Sequence, residues 1–340
     1  MVPVPIIIAE RRREILVHVR DLQHAVEETI FVGAAHRLGL FAELNRQPDT
    51  AHGLARRMGF DRRVTGVLLE ALVEMGYCTA SDGVYSVTGD TARSLVDVEG
   101  AGYEGHFWNF LLYLINPWRS LPYVLKNGKP DESSFAGISM YDFIMGMDSP
   151  WKKKIAPEIV DACLKQCPHA GTAADIGGAP GTIAMEFARR GVRTIVYDLP
   201  ESIAVTRQKL SLVPEIDIQT GDATTALPTG SYDIAFLGNI CHGQSPEDNA
   251  AIMLRCHDHL NEGGLIAVFD NLRGESYRGA TLALHMVTQS TRGDIYSRGE
   301  YFDWLSQAGF RELSVLQLSD PAWQLVLGKK LAVKPARPQY

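Results

Sequence analysis

An apolar strand that breaks into a glycine turn and reopens as a helix constrains this chain more than any other stretch: Thr172-Ala-Ala-Asp175-Ile-Gly177-Gly178-Ala179-Pro180-Gly181-Thr182. Glycines let a ligand approach the backbone, and the helix expected over Ile183 to Arg190 offers it unpaired N–H groups. The dinucleotide fingerprint G-x-G-x-x-G begun at Gly177 would need glycines where Ala179 and Thr182 stand, so a nicotinamide or flavin cofactor is disfavoured. No Lys follows Gly181, which excludes a phosphate-cradling P-loop. A ligand with ribose and adenine but no phosphate remains. Asp198 closes the next apolar run, from Arg193, where a carboxylate can accept both ribose hydroxyls. A third run, from Ile216, leads into Gly221-Asp222-Ala223, where another acid can take a hydrogen bond from an adenine amino group.

The order Asp175-x-Gly177-Gly178-x-x-Gly181, then Tyr197-Asp198-Leu199-Pro200, then Gly221-Asp222-Ala223 resembles the S-adenosylmethionine (SAM) site of class I methyltransferases.

Composition fits an enzyme. A chain of 340 residues predicts two domains, because one hydrophobic core rarely grows past about 250 to 300 residues. The formal charge of -7 argues against a nucleic-acid partner, since phosphate binding needs clustered Lys and Arg. No apolar run reaches the roughly 18 residues of a membrane span. Val2 to Ile8 is short and is followed by Glu10 and three arginines, so a cytoplasmic protein without membrane attachment is expected. Cys78, Cys163, Cys167, Cys241 and Cys256 form an odd set without finger spacing, which predicts free thiols and no metal at Cys163 and Cys167.

Residues 1–100 read as a winged helix. Ala25 to Leu44 has helical apolar spacing, interrupted by Gly33 and Gly39; helices over Thr50 to Met58 and Asp61 to Met75 follow, then a hairpin around Asp82-Gly83. Such a domain can bind DNA, and Arg56, Arg57, Arg62 and Arg63 are basic. Asp49, Asp61, Glu70 and Glu74 balance them as a solvated face. The apolar first helix predicts a homodimer.

Residues 101–170 read as a helical connector. Tyr103, Phe107, Trp108, Phe110, Tyr113, Trp118 and Tyr123 precede a softer cluster of Met140, Tyr141, Phe143, Met145 and Met147. Such a stripe is ordinarily core. Met beside aromatics also suits a pocket for a flat apolar ligand. The nucleotide fold is expected over 171–330, with a tail at 331–340. Tyr232 to Leu237 and Leu265 to Phe269 read as its fourth and fifth strands around a helix from Pro246 to Leu260, so strands alternate with helices in a parallel sheet. Ligands in such sheets bind beyond the strand carboxyl ends. Those segments are Gly238-Asn239-Ile-Cys-His242-Gly243 and Asp270-Asn271.

Residues 15–330 together resemble the small-molecule O-methyltransferase family that joins a winged-helix dimerisation domain to a class I SAM fold, including the plant caffeic-acid type and many bacterial natural-product enzymes. The resemblance implies an α/β Rossmann-like sheet, His242 as general base, Asp270 as the acid that orients it, and an aromatic or polyketide-like acceptor. It implies SAM contacts at Asp175, Gly177, Gly178, Gly181, Asp198, Leu199, Asp222, Ala223 and Asn239, and a substrate pocket of Phe107, Trp108, Tyr113, Met140, Met145, His285 and Met286. The usual His-Asp-Trp reads His242-Gly243-Gln244 here. A second family acid falls at Ile295, with Asp294 adjacent. Asp270-Asn271 also resembles the Mg²⁺-holding pair of catechol-type enzymes, although the acid after strand four would be Gly238 or Asn239. His242, Asp270 and His285 could instead form a two-His, one-carboxylate iron site for C-methylation. A SAM fold that no longer transfers methyl is a further alternative.

Overall fold

Apolar residues at helical spacing build the N-terminal region, and glycine divides it. The computed structural model describes residues 19–332 apart from Ile138 and Leu212. Most of the expected 331–340 tail and the beginning of the 15–330 resemblance lie outside these residues. The helix expected over Ala25 to Leu44 is two helices, α1 (Val19–Arg37) and α2 (Leu40–Arg46). They separate at Gly39, whose φ of 75° is left-handed backbone that glycine adopts without penalty. Thr50, at the end of strand β1 (Asp49–Thr50), accepts a hydrogen bond from Gly53 N–H and so caps α3 (Ala51–Met58). Asp61 caps α4 (Arg62–Glu74) in the same way through Val64 N–H. Strands β2 (Cys78–Ser81) and β3 (Val84–Val87) turn through Asp82 and Gly83, both at positive φ, and β1 completes a sheet of order β1-β3-β2. Val32, Leu40, Phe41, Leu44, Leu54, Leu69 and Leu72 form the core beneath. Helices followed by a hairpin is the order expected of a winged helix. Arg57, one of its arginines, is held by Glu43 at 2.7 Å and by Asp49. Arg46 and Arg57 hold the Glu43 carboxyl down at about 2.

The longer helices that follow are α5 (Gly105–Arg119), α6 (Leu121–Asn127), α7 (Met140–Gly146) and α8 (Pro150–Gln166). The chain divides into two compact units. Of the described residues, one unit holds those up to Asn116 with Gly137–Pro150, and the other holds Pro117–Ala136 and those from Trp151 onward. The 101–170 stretch is therefore shared between the two.

The second unit alternates strand and helix: β4 (Thr172–Ile176), α9 (Thr182–Arg189), β5 (Arg193–Asp198), α10 (Pro200–Leu210), β6 (Ile216–Thr220), β7 (Tyr232–Gly238), α11 (Pro246–His259), β8 (Leu260–Asp270), α12 (Gly279–Gln289), α13 (Arg298–Gln307), β9 (Arg311–Gln317) and β10 (Gln324–Lys329). Its seven strands run β6-β5-β4-β7-β8-β10-β9. The expected parallel sheet holds for β4 to β8, but β10 runs antiparallel to both β8 and β9. The segment 318–323 is too short for a crossover and can only return the chain antiparallel. Along β7, Ile234 and Phe236 pack on one face with Ile159 of α8 and Phe187 of α9, while Ala235 and Leu237 pack on the other with Met253 of α11 and Leu305 of α13. That period of two, with helices on both faces, is why β7 and β8 read as nearly continuous apolar runs. In the outer hairpin, buried Gln324 accepts a hydrogen bond from Leu272 N–H at 2.9 Å, and Asn271 Nδ2 donates to the carbonyl of Ala322. Among the described residues no helix is long and apolar enough to cross a membrane.

Asp233 ties the start of β7 to that of β4. It accepts from Gly171 N–H (2.8 Å), Thr172 N–H (3.0 Å) and Thr172 Oγ1 (3.0 Å), and from Asn261 Nδ2 (2.7 Å). Burial raises its carboxyl, but the donors from Asn261, Gly171 and Thr172 prevail and hold it below the usual range. Asp233→Ala is expected to cost about 1 kcal/mol in urea unfolding at neutral pH, the net worth of hydrogen bonds at a half-exposed site. Because the folded pKa is depressed, the contribution is complete above the unfolded value of about 3.9 and is lost as pH falls through the folded one. The gap between wild type and variant should therefore close in acid.

Candidate active site

The strand order reverses between β5 and β7 on either side of β4, and ligands of open α/β sheets bind at such a reversal, beyond the carboxyl ends of the strands. Register places Ile176 beside Tyr197 and Leu237, Asp198 beside Thr220, and Gly238 beside Phe269, so the residues that follow form one row. That row holds Gly177, Asp198, Asp222, Asn239 and Asp270.

The glycine turn is shaped by close approach. At Gly177 φ is 66°, its N–H donates to Tyr197 O at 2.7 Å, and a Cβ there would sit 2.9 Å from Ile240 Cδ1. At Gly181 φ is 89° and a Cβ would meet Leu210 Cδ1 at 2.3 Å. A Cβ on Gly178 would strike the Asp175 carboxyl beneath it, 2.5 Å from Cγ. Asp175 is buried and accepts from Ala184 N–H of α9 at 3.1 Å. Burial pushes its carboxyl up to about 7, against the pull of Lys152 and of that N–H. Asp198 accepts from Ala179 N–H (3.0 Å) and Leu199 N–H (2.7 Å), and burial raises it nonetheless. Leu199 and Asp222 are exposed and Ala223 is buried; Asp222 Oδ1 receives Thr224 N–H at 2.8 Å.

At the ends of β7 and β8 lies the polar cluster. Asn239 takes φ 61°, which Asn tolerates better than most residues, and its N–H donates to Phe269 O at 2.9 Å. His242 follows in a short turn whose Cys241 carbonyl accepts Asn249 Nδ2 at 3.0 Å. His242 Nδ1 lies 2.8 Å from Asp270 Oδ1. Asp270 is 1% exposed, and it also accepts Asn271 N–H on Oδ1 (2.8 Å) and the Tyr301 hydroxyl on Oδ2 (3.2 Å). An ionised carboxylate can only accept, so Nδ1 carries the hydrogen and Nε2 of the neutral ring keeps its lone pair. Burial opposes protonation of His242, as does Lys152, but the Asp270 charge and hydrogen bond outweigh both and raise its pKa.

Three side-chain contacts are not legible in the sequence. Lys152, in the first turn of α8, donates to Asn239 Oδ1 at 3.1 Å and stands 4.1 Å above the Phe269 ring. Burial lowers it to about 8 against the pull of Asp175 and Asp270. Its signal was a cation at the positive end of a helix, where the macrodipole disfavours one. Tyr301 holds the second oxygen of Asp270. Trp118, read only as part of the aromatic stripe, donates its indole N–H to His285 Nδ1 at 2.8 Å. The second family acid is absent from its expected place: Ile295 is fully buried and Asp294 lies at the surface in an ion pair with Arg273.

Of the expected pocket residues, Phe107, Trp108, Tyr113, Met140 and Met145 belong to the first unit, and His285 and Met286 to the second. Phe107 and Met140 are exposed, whereas Trp108 packs against the first unit's core. Among the described residues no group of three or more His, Cys, Asp or Glu side chains is arranged to hold a metal ion.

The dyad is directly testable. His242 should titrate above the ordinary 6.5 in NMR, and Asp270→Asn should bring it below that value, since burial and Lys152 remain to oppose the charge.

Residues 140–311 match the O-methyltransferase domain family model. The S-adenosyl-L-methionine-dependent methyl transferase PigF of Serratia sp. (strain ATCC 39006) is 27% identical over 315 residues, covering 86% of this chain and 90% of that protein. The tetracenomycin polyketide synthesis 8-O-methyl transferase TcmO of Streptomyces glaucescens is 26% identical over 317 residues, covering 87% and 91%. The solved structure of PigF with SAH superposes with a TM-score of 0.77 at 24% identity, covering 92% of this chain and 98% of that one, and so shares the fold. With its matched segment spanning the glycine turn, the His242 loop and the Asp270 strand end, this chain belongs to the O-methyltransferase domain family.

Proposed function

We propose that this chain transfers the methyl group of SAM to a hydroxyl of an aromatic or polyketide-like small molecule, with His242 as general base. The observation that carries this reading is the 2.8 Å contact between His242 Nδ1 and the buried Asp270. It fixes the tautomer whose Nε2 can accept a proton at the strand ends where ligands bind. SAM supplies an activated methyl on a sulfonium. The chain's own task is to align the acceptor hydroxyl and remove its proton as oxygen attacks.

The residues present fit such a cofactor. Asp198 accepts one backbone N–H on each oxygen and a further hydrogen bond from the Ser202 side chain, and its remaining acceptor capacity suits ribose. Asp222 and Ala223 would face the adenine, Gly177, Gly178 and Gly181 allow the backbone to approach, and Asn239 is held in place from behind by Lys152. The aromatic acceptor is supported by the stripe of α5 and α7 and by the natural-product relatives. Exposed Val26, Ile30, Phe31 and Leu38 support a homodimer, and five free cysteines support a cytoplasmic setting. Arg57, tied to Glu43 and Asp49, speaks for the small-molecule enzyme over a DNA-binding regulator.

Asp198→Ala should weaken S-adenosylhomocysteine binding by about 1.5–3 kcal/mol in calorimetry, the range for hydrogen bonds to a charged group. Unchanged affinity would remove Asp198 from the site. His242→Ala should lower turnover about 10²- to 10⁴-fold on an accepted phenol while that affinity holds. Chelator should leave wild-type turnover untouched. Activity should rise with pH through the elevated His242 pKa, because only the neutral ring accepts a proton.

A further inference from the structure

His285 is a titratable group the mechanism above does not use. It lies on α12, which packs on α6, and its neighbour Met286 puts its methyl 3.1 Å from where a Cβ on Gly293 would stand, with the His242 carbonyl 2.6 Å from the same point. The His285 helix and the His242 turn thus adjoin across Gly293. His285 itself is pinned. An indole N–H donates and never accepts, so the 2.8 Å bond from Trp118 Nε1 requires a lone pair on His285 Nδ1. In the neutral ring the hydrogen then resides on Nε2, at the opposite edge. Burial, and after it the charges of His242 and Arg278, lower His285 to about 4, so the ring is neutral at physiological pH.

The two imidazoles, on segments that adjoin across Gly293 and close enough for the charge of one to act on the other, are therefore set in opposite senses. Asp270 makes His242 Nε2 an acceptor, and Trp118 makes His285 Nε2 a donor. We propose that the Trp118–His285 pair recognises the methyl acceptor by donating to a carbonyl oxygen next to the hydroxyl that is methylated, so that the enzyme selects ortho- or peri-hydroxy carbonyl aromatics. This rests on the methyl-transfer reading and names its substrate class. In such a compound the hydroxyl hydrogen is locked to the neighbouring carbonyl and resists removal. When His285 N–H occupies the carbonyl, the hydroxyl turns to His242. The O–H bond then breaks with its proton going to His242 Nε2, the new O–CH₃ bond forms, and the electron pair of the old S–CH₃ bond stays on sulfur, leaving a neutral thioether.

The test compares 1-hydroxyanthraquinone with 1-hydroxyanthracene, which lacks the carbonyl, by absorbance titration of the enzyme saturated with S-adenosylhomocysteine. Wild type should bind the hydroxyquinone at least about tenfold more tightly, the worth of one hydrogen bond plus the penalty of leaving its donor unpaired. His285→Phe should erase the preference, and His285→Gln, which restores an N–H, should recover part of it. Trp118→Phe should weaken it and, in ¹H–¹⁵N spectra of the imidazoles, replace the single Nε2–H tautomer of His285 by a mixture. Equal binding of the two probes to wild type, no binding of either, or a preference that survives His285→Phe would overturn the proposal. If wild type still methylates another phenol from SAM under those outcomes, only the substrate class falls. If no phenol gains a methyl, the methyl-transfer reading falls with it.

Discussion

A carboxylate with almost no exposure to water, at the end of the longest strand of the sheet, sets the terms for everything around it. Asp270 cannot remain charged there without partners, because an unpaired buried charge costs several kcal/mol even after relaxation. It finds three: a backbone N–H from Asn271, a hydroxyl from Tyr301 and the ring nitrogen of His242. Each satisfies the acid and is in turn oriented by it. The His242 turn is drawn against the strand end, α13 is anchored through Tyr301, and the imidazole is left with one tautomer. A group that stabilises the local fold thereby determines the chemistry that fold can do.

What the sequence revealed follows from how local the signal is. The glycine turn, the Asp198 strand end and the Asp82-Gly83 hairpin are each written within a dozen residues, and each is dictated by backbone geometry that few other residues permit. His242 and Asp270 were legible because consecutive strands of a parallel sheet end at one edge, so two positions 28 residues apart are neighbours by topology. Lys152 reaches Asn239 across 87 residues and Trp118 reaches His285 across 167, and no periodicity records such meetings. The N-terminal helix was read as one because Gly39 inside an apolar run looks like a tolerated defect until its backbone turns left-handed.

The strands β9 and β10 went unread for a related reason. β9 is half-exposed along most of its length, so its residues alternate weakly, and only the pairing with β10 gives them a partner. The missing second acid is instructive as well. Position 295 carries isoleucine and is buried, while the second oxygen of Asp270 is met by the Tyr301 hydroxyl, which can donate to it.

That outer hairpin bears on where the catalytic unit can be considered finished. A chain ending after α13 would retain every parallel strand, the glycine turn and both imidazoles. It would also remove Gln324 from the amide of Leu272 and release the Asn271 side chain from Ala322, two residues and one residue beyond Asp270. The antiparallel edge is thus a foundation laid under the acid from the far side of the sheet. The surroundings of Asp270, and through it of His242, therefore draw on the chain as far as β10.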